Sequence, residues 1–324
     1  MMLQNSCIFN SNIHIKYVML VFILSVVVLV LLAVNSFYIL QDEPGMIGFE
    51  YTKLIGYQKD KLKNTDHIDM AIVGDSSGGF AIDADRMSKS FNENVMSLCL
   101  TGAFGYGGSY SMAKQAVNKG AKKILIVQNV SIPRNSIGEG KKAAVLLGDS
   151  ATMLIEESES LPYAVPLLLS NDIVIKSVIA RINKIVYGKK NVVDINGRIR
   201  NDYVIQARKK DFSNLKIHWF PNEVNREKFY YLKKLAILCK KNNVTCLYAH
   251  GPIYETFCHE RNKLYLNVIN RYIKSTGITL LSEEPYCMSN DVIGDMPKHI
   301  APQFKDKTTD YYITLLNNYS IKEK

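Results

Sequence analysis

Residues 69–79, DMAIVGDSSGG, decide the fold, because a short apolar run leads there into Gly-Asp-Ser and then into small residues. The run at 70–73 has the length of a buried strand, and the glycines after it permit a sharp turn into a helix. Ser76 would then stand between a strand and a helix, either as a nucleophile or as part of a polar turn. The Gly-Asp-Ser motif recurs in VLLGDSATML, so Ser150 is a second candidate.

Short apolar runs alternate with helical stretches along most of the 324 residues. This alternation is typical of an α/β domain, a parallel sheet with helices on both faces. The pattern predicts helices at 109–118, 223–241, 264–274 and 308–316. It predicts strands at 70–73, 95–100, 123–128, 245–248 and 278–281.

The alternation fails between about 132 and 220, a length far beyond an ordinary connection. We expect a largely helical insertion in the sheet domain there. Within it, apolar residues from Ile175 to Val186 follow helical spacing after Asn171 and Asp172, which are favourable at a helix start. Such a stripe usually docks on the protein's own core, and a partner or a membrane surface is the alternative.

Residues 17–40 are apolar and uncharged, and at about 1.5 Å per residue such a helix exceeds the roughly 30 Å of bilayer hydrocarbon. We expect an uncleaved transmembrane anchor; a cleaved signal peptide is the alternative, although AVNS is a poor cleavage site. His14 and Lys16 precede the span, whereas Asp42 and Glu43 follow it. The positive-inside tendency then leaves 1–16 in the cytoplasm and places a connector at 41–66 and a domain at 67–324 outside.

The net charge of +10 raises the possibility of nucleic-acid binding. An extracytoplasmic location and the lack of a basic run interleaved with aromatic residues argue against it. We interpret the charge as a lysine-rich surface, with weak attraction to anionic lipid or acidic glycan as the alternative. No CxxC occurs and the histidines lack metal-ligand spacing, so we expect neither a metal nor a cofactor.

The cysteines fall into two groups outside the cytoplasmic segment. Cys99, Cys239 and Cys246 lie in apolar segments, where a buried free thiol is the usual explanation. Cys258 and Cys287 flank a helix and a strand in loop-like surroundings. An oxidising compartment favours a disulfide between these two.

Position relative to the strands favours Ser76 over Ser150 as the nucleophile. In an open parallel sheet, ligands bind beyond the carboxyl ends of the strands, and Ser76 lies in the first such loop. A helix beginning there would aim backbone N–H groups at a developing oxyanion. The run before Ser150 begins in GEGKK, and we interpret this second motif as a helix N-cap.

A serine nucleophile needs a base, usually a histidine that a third group orients. His299, in IGDMPKHIAP, lies after the last strand in a loop that can return to the carboxyl edge of the sheet. Asp295 is close enough in sequence to orient its imidazole and stabilise the imidazolium. His250, in LYAHGP, also ends a strand, where it could contact substrate, act as an alternative base or be a buried structural histidine.

With these residues assembled, the chain resembles the SGNH, or GDSL-like, hydrolase superfamily over about 69–129 and 245–316. The resemblance implies a three-layer, flavodoxin-like fold in which Ser76 is the nucleophile and its N–H an oxyanion donor. It also implies a second N–H donor at Gly102 of LCLTGAFGYGG and a side-chain amide donor at Asn129 of IVQNVSI. Asp75, beside Ser76 in IVGDSSGG, is a further candidate for substrate contact.

The chain departs from the superfamily pattern around two of these residues. A glycine usually precedes the asparagine and an aspartate follows it, whereas here they are Gln128 and Val130. The acid usually lies three residues before the histidine, but that position is Met296 and Asp295 lies four before.

Members of the superfamily are esterases, lipases, and polysaccharide O-acetyl esterases or O-acetyltransferases, so the resemblance implies acyl transfer. With its single-span anchor, the chain resembles accessory proteins that add or remove acetyl groups on bacterial cell-envelope polysaccharides, in the periplasm or at the cell surface. Such proteins imply a multi-span membrane acyltransferase as partner. The departures favour the alternative, an inactive SGNH-like protein that binds or scaffolds glycan.

Overall fold

The computed structural model describes residues 11–42, 50–131, 169, 171–187, 210–214, 224 and 229–322. Its first helix, α1 (Ser11–Asp42), contains the apolar stretch His14–Ser36, which is long and apolar enough to cross a membrane. The apolar side chains described in this stretch are largely exposed. A second helix, α2 (Glu50–Lys63), occupies most of the expected connector.

The core is a parallel five-stranded sheet, which confirms the predicted α/β class. Its strands, in sheet order, are β2 (Val95–Ser97), β1 (Met70–Gly74), β3 (Lys123–Gln128), β4 (Thr245–His250) and β6 (Thr279–Leu280). Strand order reverses between β1 and β3, where doubly wound sheets form their ligand crevice. β2 is shorter than predicted, but Leu98 and Leu100 still donate N–H bonds to β1 carbonyls, at 2.7 and 2.9 Å.

Two groups of helices cover this sheet. In the first, α7 (Phe229–Lys241) contacts both α5 (Gly105–Asn118) and α8 (Lys263–Ser275). In the second, α9 (Lys305–Lys322) contacts α3 (Ser76–Ala81) and α4 (Ala84–Phe91). Right-handed crossovers between parallel strands put these groups on opposite faces, so the sheet is the middle of three layers.

A small second sheet pairs β5 (Ile253–Tyr254) with β7 (Cys287–Met288) beyond the end of β4. The structure joins Cys258 to Cys287 by a disulfide beside this sheet. It also joins Cys239 to Cys246, so the expectation of free thiols was wrong for this pair. In the sequence the two cysteines lie in separate apolar segments. In the fold, the end of α7 lies against the start of β4, and the Cα atoms of Cys239 and Cys246 are 6.1 Å apart.

The expected insertion at 132–220 lies mostly outside the described residues, including Ser150 and its Gly-Asp-Ser. Its described parts are residue 169, a helix α6 (Asn171–Tyr187), where helical spacing predicted one, and residues 210–214. The last part lies beside the histidine loop, because Lys210 N–H donates to Gly294 O at 3.1 Å and Phe212 N–H to the Asn290 side chain at 2.9 Å.

Candidate active site

The loops after the sheet strands meet at one edge and are hydrogen-bonded to each other. Asp75, after β1, donates its N–H to Val127 O of β3 at 3.2 Å. Gly251, after β4, donates its N–H to Gln128 O of β3 at 2.8 Å. Side chains that follow three different strands are therefore held together at this edge.

Ser76 is the first residue of α3, and its neighbours satisfy the other N–H groups of that turn. The Asp75 carboxylate accepts the Ser77 N–H at 3.0 Å and caps the helix. The Asp75 carbonyl accepts the N–H groups of Gly78 and Gly79, at 3.1 and 3.2 Å. Among the described residues, the Ser76 N–H takes part in none of these bonds, which suits it to donate to an incoming oxyanion.

Glycine is required where this turn presses against β3. A Cβ atom added to Gly74 would lie 1.8 Å from the carbonyl oxygen of Val127. One added to Gly78 would lie 2.9 Å from the Val127 Cβ. The small residues of GDSSGG thus let α3 approach the sheet closely enough to hold Ser76 over its edge.

His299 lies between Ser76 and Asp295. Its Nε2 is 2.9 Å from Ser76 Oγ, and its Nδ1 is 2.8 Å from Asp295 Oδ1. A carboxylate only accepts hydrogen bonds, so Nδ1 holds the proton and Nε2 is free to accept one from the serine hydroxyl. Ser76 is 7 % exposed and the His299 side chain 6 %, whereas that of Asp295 is 30 % exposed. Ser76 and His299 are therefore shielded, while Asp295 borders solvent.

A short hairpin explains how an acid four residues before the histidine reaches its ring. Ile293 and Ile300 form an antiparallel bridge, and Gly294 N–H donates to His299 O at 2.7 Å. Inside the hairpin, His299 N–H donates to Met296 O at 3.0 Å. The turn brings Asp295 beneath the imidazole despite the spacing that departs from the superfamily pattern.

Burial lowers the pKa of His299 below its ordinary value, and the hydrogen bond to Asp295 and its charge oppose this only in part. The ring of Phe80, one turn along α3 from Ser76, contributes to the burial, with its centroid 4.2 Å from that of the imidazole. A lowered pKa keeps the imidazole neutral at pH 7, the form that accepts a proton.

Asn129 follows β3 with its amide group already oriented. Its Oδ1 accepts from Ser131 N–H at 3.0 Å and from Ser131 Oγ at 2.6 Å. Because a backbone N–H only donates, this contact fixes which end of the amide is oxygen. Among the residues that the structure describes, the buried Nδ2 has no hydrogen-bond partner, and a buried unsatisfied donor is costly unless a ligand uses it. This arrangement fits an oxyanion donor.

Gly102 is placed at the same edge by the segment after β2. It begins a 3-10 helix, Gly102–Phe104, and is partly exposed. The first N–H of such a helix has no partner within the helix, so this group is suited to donate a hydrogen bond to an anion.

The residues that depart from the superfamily pattern around Asn129 have structural roles. Gln128 is buried, and its Nε2 donates to Gly105 O at 3.1 Å and to Ser109 Oγ at 2.6 Å. It therefore ties the end of β3 to the start of α5. Val130 lies in the core, and its carbonyl accepts the hydroxyl of Tyr265 at 2.7 Å.

The structure places His250 and Asp75, the two candidates for substrate contact, in buried positions. His250 is 1 % exposed, its Nε2 is 2.7 Å from Asn270 Oδ1, and burial lowers its pKa to about 4. Asp75 is fully buried as the helix cap. Both residues lie at the carboxyl ends of sheet strands, but their side chains are buried. Position relative to the strands does not reveal this burial.

Sequence reasoning missed two residues that bear on the site, Ser131 and Phe80. The spacing of Ser131, two residues after Asn129, is that of a local side-chain turn and could have indicated it. Within the described part of the chain, no group of three or more His, Cys, Asp and Glu residues could hold a metal ion. In comparisons with known proteins, no protein-family model, curated protein or solved structure matches this chain.

Proposed function

We propose that this chain is a membrane-anchored serine esterase or O-acyltransferase of the SGNH type. The observation that supports it most is the position of His299, within hydrogen-bond distance of Ser76 Oγ on one side and Asp295 Oδ1 on the other. A nucleophile, a neutral base and an orienting acid in this order are what acyl transfer requires.

In the first half of the proposed reaction, Ser76 is acylated. His299 Nε2 accepts the hydroxyl proton while Ser76 Oγ attacks the ester carbonyl carbon, and Asp295 stabilises the imidazolium. The N–H groups of Ser76 and Gly102 and the Asn129 amide bind the oxyanion of the tetrahedral intermediate. Collapse of this intermediate breaks the ester C–O bond, and His299 returns its proton to the leaving alcohol.

In the second half, His299 deprotonates a water molecule or a sugar hydroxyl, which attacks the acyl-enzyme. The same donors bind the second oxyanion, and the proton returns to Ser76 as the acyl bond breaks. Hydrolysis and transfer differ only in this acceptor. The catalytic residues are therefore the same for an esterase and an O-acyltransferase.

The sheet topology supports the assignment to the SGNH superfamily. The parallel order β2-β1-β3-β4-β6 agrees with a flavodoxin-like arrangement. Ser76, Gly102 and Asn129 follow the first three strands in turn, and His299 follows the last. This order along the chain supports the roles proposed for them.

The proposed location is outside the cytoplasmic membrane of a bacterium, with α1 as the anchor. The apolar stretch His14–Ser36 and the charges at its two ends support this orientation. Two disulfides in the domain support an oxidising compartment. Cell-envelope polysaccharide as substrate, and a multi-span membrane acyltransferase as partner, rest on analogy with the superfamily. Failure of the anchored protein to co-purify with any such acyltransferase would count against the partner.

Hydrolysis of p-nitrophenyl acetate by the full chain in detergent tests the activity. We expect Ser76→Ala and His299→Ala to lower kcat/KM by at least about 10³-fold, because each removes a group that acts in the transition state. Ser150→Ala is the matched control, since it alters the other Gly-Asp-Ser, and it should retain activity. Equal background rates in all four proteins would instead favour the inactive, glycan-binding alternative.

A further inference from the structure

Helix α6 has a stripe of exposed apolar side chains. The exposed fractions of its side chains range from 37 % at Val178 to 75 % at Ile185. The spacing of the stripe is that of one helix face. Its members are Ile175, Val178, Ile179, Ile182, Ile185 and Val186. Exposure of so many branched apolar side chains on one face is unfavourable in water.

The same helix packs against the apolar N-terminal helix. α6 contacts α1, and Arg181 Nη1 donates to Asn35 Oδ1 at 2.7 Å. Ser36 of α1 and Ser177 of α6 are both fully buried. Small residues of this kind allow helix backbones to approach closely, as in membrane helix pairs.

The contact lies at one end of the stretch suited to cross a membrane. Asn35 and Ser36 are the last residues of His14–Ser36, so an anchored α1 would hold them near the boundary between hydrocarbon and headgroups. Around α6, Ser177 lies roughly 140° and Arg181 roughly 100° from the centre of the apolar stripe. The stripe therefore lies on the side of α6 that does not contact α1, where it would face whatever medium surrounds α1.

We propose that α6 is a membrane-surface helix, and that its isoleucine and valine stripe is embedded in the bilayer beside α1. An amphipathic helix at this depth buries its apolar face among acyl chains and keeps a basic residue such as Arg181 at the headgroups. The inference rests on the proposed membrane anchoring of α1, but it does not depend on the proposed chemistry at Ser76. The insertion would thus give the protein a second attachment to the membrane, in addition to α1.

Tryptophan fluorescence in lipid vesicles tests this proposal with the full chain. The chain has one tryptophan, so Trp219→Phe provides a background without it. Ile182→Trp then reports on the stripe. Ile237→Trp is a matched control on α7, because Ile237 is similarly exposed on the sheet domain, 66 % against 51 % for Ile182. Leu24→Trp, in the middle of the apolar stretch, reports on the anchor itself.

The vesicles contain phosphatidylcholine and phosphatidylglycerol with brominated acyl chains, which quench tryptophan only by contact within the bilayer. We expect quenching for Ile182→Trp and Leu24→Trp, and none for Ile237→Trp. Quenching of Leu24→Trp alone, with Ile182→Trp quenched by aqueous acrylamide, would overturn the inference and leave the anchor intact. Protection of Ile182→Trp from both quenchers would also overturn it, since a protein would then cover the stripe. Absence of lipid quenching at Leu24→Trp and Ile182→Trp would overturn both proposals.

Discussion

The hydroxyl of Ser76 becomes a useful nucleophile only if the imidazole beside it is neutral. His299 is buried against Phe80, which disfavours the imidazolium, while Asp295 favours it. The acid at its side borders solvent and stays able to stabilise the charge that forms during reaction. These opposing effects leave a base that is neutral at rest and can be protonated in the transition state.

The pH dependence of kcat/KM should report this base. Because the pKa of His299 is lowered, we expect a plateau near pH 7 and a loss of activity toward acid with an inflection below 6.5. The sign follows from protonation, since the imidazolium cannot accept the Ser76 proton. An inflection above 6.5 in the esterase assay would contradict this environment for His299.

Replacement of the acid should affect catalysis without unfolding the domain. We expect Asp295→Asn to lower kcat by roughly 10²- to 10⁴-fold, because an amide does not stabilise the imidazolium. The acid inflection should also move lower, since Asp295 raises the pKa of His299. Asp306→Asn, at a carboxylate that is 70 % exposed, is the control and should change neither quantity. Unchanged kcat in Asp295→Asn would show that another group orients the histidine.

Ser131 should act by positioning the amide of Asn129. We expect Ser131→Ala to lower kcat up to about tenfold with little change in KM, because the Ser131 N–H still holds Asn129 Oδ1. Asn129→Ala should cost about 10²- to 10³-fold. The double variant should resemble Asn129→Ala alone, and full additivity of the two losses would argue that Ser131 acts elsewhere.

Among the secondary-structure elements, those with strong periodicity were predicted from the sequence. β3 has the predicted bounds, and α8 differs by one residue at each end. α2 and α4 were not predicted, because one lies in a polar connector and the other is only eight residues long. Ser76 and His299 were found by their places after strands, whereas the orientation of His250 and the pairing of Cys239 depend on contacts between distant segments.

The close packing of α3 on β3 can be tested at Gly78. We expect Gly78→Ala to destabilise the protein by about 1–3 kcal/mol and to lower activity, because its Cβ would press on Val127. Urea unfolding measures the first effect and the esterase assay the second. Gly78→Ala with Val127→Ala should recover little of the loss of activity, because alanine keeps the Cβ atom that lies 2.9 Å from the added one. Wild-type stability and activity in Gly78→Ala would contradict the close packing.

At the scale of the whole molecule, the proposed catalytic residues come from segments far apart in sequence. Ser76 and His299 are 223 residues apart, and the His299 hairpin is held by contacts to β5 and to residues 210–214. Tyr254 N–H, for example, donates to Pro297 O at 2.7 Å. The position of His299 therefore depends on the small second sheet, which the Cys258–Cys287 disulfide closes.

Removal of this disulfide should loosen that part of the molecule. We expect Cys258→Ser with Cys287→Ser to lower stability by about 2–4 kcal/mol, because the bond closes a long loop. Activity should fall as well, since the loop leads to the His299 hairpin. Cys239→Ser with Cys246→Ser is the comparison, as it removes a bond across only seven residues and lies away from the hairpin. Equal effects of the two double variants on activity would contradict this role.

The most direct test of the central claim is the site of modification by a fluorophosphonate, located by mass spectrometry on the full chain. We predict one adduct, on Ser76, that is absent in Ser76→Ala, strongly reduced in His299→Ala and retained in Ser150→Ala. An adduct on Ser150, or equal labelling with and without His299, would contradict a nucleophile at Ser76 activated by His299.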